Sequence, residues 1–361
     1  MRRTAALVTL ALTAAACGSG APAVAGSAGD TLSLAERRAI PGRIAFVSER
    51  TGNADVYLGW ADGREPLRLT RSPAADFPAA VAPDGRSILV VSAAEDPEAG
   101  QQERMRLVPL DGGTAREVGW ASARARSPSW SPDGRWLVFE SDRHSFRDLF
   151  RATVGGGEPQ RLTDNPQGNF EPEVSPDGKQ LAFVSSRDGD AEVYVMPSAG
   201  GAARRITAFH RDDWGPRWAP DGRTIAFLSN REGSDRIFLV AADGADLRRL
   251  TRPEVAKGDS GFAEGDLAWS PDGARIAYVA RRREGRAVLR VADTRTGRSR
   301  DVTDGGADAG NPAWSPDGKH LVFFWERDGD PELYLARADG SAATRLTHTP
   351  GADWLPRWIK P

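Results

Sequence analysis

Cysteine is almost absent from this chain: Cys17 is the only one in 361 residues. That excludes a disulfide-stapled fold and any thiolate-rich zinc site, since both need several cysteines. Histidine is scarce too, with His144, His210, His320 and His348 far apart. Positive charge is not in surplus. Lys+Arg 48 against Asp+Glu 50 leaves a formal net charge of −2, so the basic stripe of a nucleic-acid binder is missing. No helical periodicity of any length is found. The apolar run near the N-terminus, Thr4 to Ala16, covers 13 residues, short of the ~20 that span a bilayer. Turn residues abound instead, with Gly 39 and Pro 25.

Many of those turn residues belong to one recurring unit. Pro-Asp-Gly stands at Pro83, Pro132, Pro176, Pro220, Pro271 and Pro316, at intervals of 44 to 51 residues. Periods of this size mark propellers, solenoids and arrays. Each unit carries short apolar runs bounded by Gly, Asp, Asn or Pro, such as Ile225-Ala226-Phe227-Leu228 and Ile237-Phe238-Leu239-Val240. Runs that are apolar on consecutive residues predict strands buried on both faces, as in small sheets stacked between neighbours. A seventh unit is split: Trp354 to Trp358 supplies its first strand, and residues 43–70 supply the rest. The expectation is an all-β, seven-bladed propeller, closed by pairing of the C-terminal strand with the N-terminal blade. Trp130, Trp218, Trp269, Trp314 and Trp358 precede the turns and read as packing between blades.

The N-terminus has its own logic. Arg2 and Arg3 precede the apolar run, which ends at Ala14-Ala15-Ala16-Cys17-Gly18. This end resembles the bacterial lipoprotein lipobox, with Ala14 where leucine is commoner. The resemblance implies a signal peptide over 1–16, lipidation at Cys17, and a membrane attachment through the lipid only. The alternative is an ordinary cleaved leader of the Ala-x-Ala kind. Residues 17–40, rich in Gly, Ala and Ser, read as a flexible tether without a core, ahead of a propeller over 41–361. The expected address is an exported, membrane-anchored lipoprotein facing the periplasm or the cell exterior.

Pro128-Ser129-Trp130-Ser131-Pro132-Asp133-Gly134, followed by an Ile-Ala-Phe-x-Ser-x-Arg type strand, a Leu-Tyr type strand and Arg-Leu-Thr, resembles the TolB-type propeller repeat; Pro312 to Gly318 repeats the motif. TolB proper has an α/β domain and six blades, whereas this chain has a short tether and seven units. The resemblance therefore implies a propeller that binds an envelope protein or a peptidoglycan-associated partner, without a cofactor, and a monomer. The same repeat occurs in oligogalacturonate lyases, which hold a metal through several histidines, and in prolyl oligopeptidase-like peptidases. The first would need clustered histidines and the second a nucleophile elbow. Gly258-Asp259-Ser260-Gly261 is a weak serine-nucleophile candidate with no partner at a plausible spacing. Asp188-Gly189-Asp190 and Asp328-Gly329-Asp330 offer too few oxygens for calcium. They fit hairpins in which the arginine of Ser-x-Arg pairs with an acid ahead of strand three, Arg50 with Asp55, Arg143 with Asp148, and Arg187 with Glu192.

Aligning the units on the tryptophan, with Val81 and Val174 where it is replaced, exposes the candidate binding residues. Five and four residues upstream stand Asp76-Phe77, Asn169-Phe170, Asp213-Trp214 and Asp353-Trp354. Four blades thus carry an acid or amide followed by an aromatic at the loop that enters the innermost strand. Arg217, Arg357 and Glu173, one residue before the tryptophan position, add charge near the channel wall. Aromatics beside charges on one rim suit an anchor-rich interface, although the acids would equally cap their own turns. The leading expectation is a non-enzymatic protein-binding scaffold that uses one channel mouth. The alternatives are a propeller enzyme, such as a sugar lyase or hydrolase, or a glycan or ligand sensor.

Overall fold

A computed structural model describes residues 31–96, 100–118, 125–251, 263–281 and 285–361. It contains seven antiparallel sheets of four strands each. Blade 1 runs outward from Asp353–Ile359 through Arg43–Ser48 and Asp55–Gly59 to Leu67–Arg68. The first strands of blades 2 to 7 are Ala75–Val81, Ala125–Trp130, Asn169–Val174, Asp213–Trp218, Ala263–Trp269 and Ala309–Trp314. First strands of adjacent blades touch one another, those of blades 5 and 6 through the Trp269–Arg217 hydrogen bond, so these strands ring the central channel.

Strands two and three are buried along nearly their whole length, as Gln180–Ser185 and Glu192–Pro197 show. Successive side chains point to opposite faces, so each strand feeds both interfaces of its blade. The apolar interior is accordingly divided into seven clusters, one per blade–blade interface. Blade 1 contributes to two of them. Ile44 and Phe46 pack on blade 7, and Ala45 and Val56 pack on blade 2. The ring is closed by Arg43↔Ile359, Ile44↔Trp358 and Ser48↔Asp353 pairing within blade 1.

The repeat motif is explained by contacts. The indole N–H of Trp130, Trp218, Trp269 and Trp314 donates to Ala80, Glu173, Arg217 and Ala268 carbonyls, in each case in the preceding blade. Trp358 donates to Pro41 O at 3.0 Å, inside the split blade. These rings are inter-blade fasteners. In the turn, Ser131 Oγ donates to Asp133 Oδ1 at 2.6 Å, and the same carboxylate accepts the Arg135 N–H. Neighbouring turns stack. At Gly85, with φ +64°, a Cβ would lie 2.9 Å from the Lys360 carbonyl, so the C-terminal segment occupies the place that a turn fills elsewhere.

Two expectations for the N-terminal segment are corrected. A short helix exists, Leu34–Ala39, capped by Ser33 Oγ accepting the Glu36 N–H. The end of the expected coreless tether is also packed. Leu32 and Ile40 are buried in the cluster between blades 7 and 1. Glu36 accepts two hydrogen bonds from Arg337, at 2.9 and 2.8 Å. Six residues are too few to display an apolar period, and both buried residues lie outside the helix.

Candidate functional site

The Ser-x-Arg arginines do not pair as the sequence spacing suggests. Arg50, Arg187 and Arg231 lie over the stacked rings of strands two and three, such as Phe227 and Phe238 at 5.6 and 4.6 Å from Arg231. Their Nε–H donates to the motif serine, at 2.7, 3.0 and 2.8 Å. Each guanidinium then reaches inward to the first strand: Arg50 to Asp353 at 3.3 Å, Arg187 to Asn169 at 3.1 Å, Arg231 to Asp213 at 2.7 Å. The acids ahead of strand three are taken by the arginine of Arg-Leu-Thr instead. Arg68 meets Asp55, Arg161 meets Asp148 and Arg205 meets Glu192, at 2.6, 2.5 and 2.9 Å. The antiparallel register places strand four beside these acids, whereas the aromatic pair steers the other arginine away from them.

This arrangement decides what the candidate acids do. Asp76, Asp213 and Asp353 have no exposed surface. Asp76 is held by Arg106 Nη2 at 2.6 Å, an arginine from strand three because blade 2 lacks Ser-x-Arg. Burial raises the Asp353 carboxyl above the usual range, against Ser48 and Arg50. These acids tie first strands to their blades and offer no surface to a partner.

The aromatics beside them are different: Phe77, Phe170, Trp214 and Trp354 are all partly exposed. Phe77 and Trp354, on adjacent blades, meet with ring centroids 5.7 Å apart. Phe170 has the Arg147 guanidinium 5.3 Å from its centroid. Blades 6 and 7 carry Gly265 and Gly310 at this register, which leaves the rim lopsided. At Gly310 a Cβ would lie 2.5 Å from the Phe324 ring, so a side chain there would have to displace that ring. Phe324, in strand two opposite Gly310, is a partly exposed aromatic that the alignment overlooks. Glu140 is also overlooked. It occupies the same strand-two register in blade 3, where the other blades carry Val, Leu or Phe. It is buried, accepts the Glu171 N–H at 2.7 Å, and faces Arg147 at 3.5 Å. Burial raises its pKa. One polar letter in an otherwise apolar column was the available signal.

Below the rim, every first strand breaks register in its middle. Ser127, Glu171, Gly215, Asp266, Asn311 and Leu355 adopt positive φ there, as β-bulges that re-aim a side chain do. The bulged acids reach along the channel wall. Glu171 accepts the Gly215 N–H at 2.6 Å, and Asp266 accepts the Asn311 N–H at 3.3 Å. Two residues further on, one before the tryptophan position, Ala80, Ser129, Ala268 and Ala313 are small while Glu173, Arg217 and Arg357 are charged. Glu173 accepts the Trp218 N–H at 2.8 Å. Burial pushes its carboxyl up to about 7, opposed by Arg217 and by that N–H. Arg217 and Arg357 keep water contact. Burial and then Arg217 lower the pKa of Arg357, and Asp266 opposes them. Blades 1, 5 and 6 supply these three groups, and blades 1 and 5 are not neighbours. Their mutual field therefore crosses the channel.

The histidines are not brought together. His320 is buried beside Glu36 and Asp317, at 3.4 and 3.7 Å, and His144 packs on Phe150. Among the described residues no group of three or more His, Cys, Asp or Glu is placed to hold a metal ion. Asp188 and Asp328 are engaged by tyrosine hydroxyls and by Arg205 and Arg345, so the first acid of each Asp-Gly-Asp loop already has protein donors. Gly258 to Gly261, Cys17 and the leader lie outside the described residues. So does the tether up to residue 30. Among the described residues no helix is long and apolar enough to cross a membrane.

The ring, the split blade and the channel mouth define a seven-bladed propeller equipped for protein or ligand contact at one end. Residues 164–262 and 267–361, more than half of the chain, match the model of the TolB beta propeller domain, and the protein belongs to that family. A TolB homolog of Chlorobaculum tepidum is 30% identical over 131 residues, 36% of this chain and 29% of that protein. An uncharacterized protein of Agrobacterium fabrum is 28% identical over 133 residues, 36% of this chain and 43% of that one. The chain thus spans less than half the length of either relative. Among solved structures, TolB from Acinetobacter baumannii superposes with a TM-score of 0.56 at 21% identity, covering 91% of this chain and 86% of that one. A puromycin-hydrolyzing peptidase of Mycobacterium tuberculosis gives 0.64 at 17%, covering 89% and 56%. Oligogalacturonate lyase from Vibrio parahaemolyticus gives 0.60 at 16%, covering 84% and 86%. At these identities the likeness is one of fold.

Proposed function

We propose that this protein is a non-enzymatic, envelope-exposed lipoprotein whose propeller binds an envelope protein or peptidoglycan-associated partner at one channel mouth. The carrying observation is the lopsided rim. Partly exposed Phe77, Trp354, Phe170 and Trp214 stand on four blades, each backed by a buried acid or amide that fixes its strand. Rigid aromatics on a fixed backbone lose little entropy when a partner covers them, which makes them anchors. The test is a crosslinked pull-down from native membranes with Trp214→Ala and Trp354→Ala combined. Losing two anchors should lower affinity at least about thirtyfold, or ~2 kcal/mol, with the melting temperature close to wild type. A lower melting temperature with capture intact would reduce these rings to packing.

The lipid anchor has a separate test. Two acyl chains, at ~0.8 kcal/mol per buried CH₂, hold a protein to a membrane stably where one chain does not. Radiolabelled fatty acid should enter the wild type and be lost from Cys17→Ser. Equal labelling of both would remove the lipoprotein reading and leave a cleaved leader.

A further inference from the structure

We propose that the channel binds an oxyanion, a carboxylate or a phosphate, between the guanidinium groups of Arg217 and Arg357. Most arginines near the channel are spoken for. Arg50, Arg106 and Arg231 each hold a buried acid of a first strand. Arg217 and Arg357 share one register on blades 5 and 1, and neither makes an ion pair with any described residue. Arg217 donates only to its own neighbour, the Pro216 carbonyl, at 2.9 Å. Both side chains are exposed, and Arg217 serves the seam between blades only through its carbonyl, which accepts the Trp269 indole N–H.

The remaining positions of that level are Ala80, Ser129, Ala268 and Ala313, with Glu173 beside Arg217. Small side chains occupy four of the seven positions, and the two cations lie close enough for Arg217 to lower the pKa of Arg357. Like charges held at one level of a channel raise each other's free energy, because the low-dielectric protein around them weakens screening. The fold supplies Glu173 as partial relief to Arg217, and Asp266 opposes the shift of Arg357 without forming an ion pair with it. A bound oxyanion would cancel the repulsion and would meet two planar, bidentate donors, the geometry that guanidinium groups offer to carboxylate and phosphate. Nearer the rim, Glu171 and Asp266 form an acidic level, each with one oxygen committed to the next blade. The channel is therefore banded, with the anion site on the far side of the acids from the aromatic rim.

This deepens the reading of the channel as a binding site by naming the chemistry of what enters it, and its test needs no partner protein. Sodium glutarate and sodium phosphate are titrated separately into the intact protein at mildly alkaline pH, with ionic strength held constant by chloride. Binding is followed by calorimetry and by melting temperature. At least one probe should bind saturably, one per chain, and raise the melting temperature. Tighter glutarate binding assigns the site to carboxylates, and tighter phosphate binding assigns it to phosphoryl groups. Arg217→Gln and Arg357→Gln should each weaken binding by about tenfold or more, while melting no lower than wild type without the probe, because a repulsion is relieved. Glu173→Gln should strengthen binding by removing the competing charge. The combined Trp214→Ala, Trp354→Ala variant should bind the probes as wild type does, so failure of the rim interface and failure of this site are distinguishable. No saturable binding of either probe, or equal binding by the arginine variants, would overturn the proposal.

Discussion

Deleting Leu355 to Pro361 should leave a chain that aggregates on expression or melts far below the intact protein. The segment is most of the first strand of blade 1. It pairs with Arg43, Ile44 and Ala45 and covers the edge they would otherwise present. Its side chains serve both neighbours of that blade: Ile359 is fully buried in the cluster shared with blade 2, and Trp358 packs on the cluster shared with blade 7. The Lys360 carbonyl also lies against Gly85 in the ring of turns. Trp358→Ala alone should cost about 3 kcal/mol, the low end for truncating a tryptophan, because its ring is only partly buried. That is a large share of the ~5–15 kcal/mol that keeps a typical domain folded. The deletion removes this together with a strand edge's hydrogen bonds, so it should exceed the whole margin. Circular dichroism melts and size-exclusion profiles read the outcome. A truncated chain that stays monodisperse and melts with the wild type would mean that closure does not depend on the terminal strand.

The architecture was legible because its signals are local and repeated. The Pro-Asp-Gly turns, the doubly buried strands and the tryptophans each state one requirement between five and seven times. The side-chain pairing was less legible. Arg50 is closer in sequence to Asp55 than to Asp353, and sequence distance favoured the wrong partner. The stacking of Phe46 and Tyr57 lifts Arg50 toward the first strand, and no spacing rule contains that. The bulges at Glu171 and Asp266 were invisible for a related reason, since residue type does not announce positive φ outside glycine. The placement of Arg217 and Arg357 at the channel wall was readable from register alone. That the two feel each other's charge required the closed ring, since blades 1 and 5 are not neighbours. Phe324 escaped because it enters the rim from strand two, through the gap left by Gly310.

Arg231→Ala is expected to destabilise the protein by about 3–5 kcal/mol, the cost of stranding a buried charge by removing its partner. Asp213 has no exposed surface, and its Oδ2 is held by Arg231 at 2.7 Å while its Oδ1 has no hydrogen-bond partner. Without the guanidinium the carboxylate has nothing to offset its lost hydration. The alanine also empties the space over Phe227 and Phe238. Arg231→Met with Asp213→Leu should recover much of the loss, because a buried ion pair replaced by apolar groups of similar volume is often neutral. Denaturant titrations of the single and double variants measure both effects. The same pair of variants separates framework from interface. Trp214, next in sequence to Asp213, is expected to govern partner capture with little effect on folding, and Asp213 the reverse. A stable Asp213→Leu, Arg231→Met protein that still captures its partner would place the acid wholly in the framework. One that folds as wild type does yet captures nothing would return Asp213 to the binding surface and show that the mouth opens further than its resting geometry.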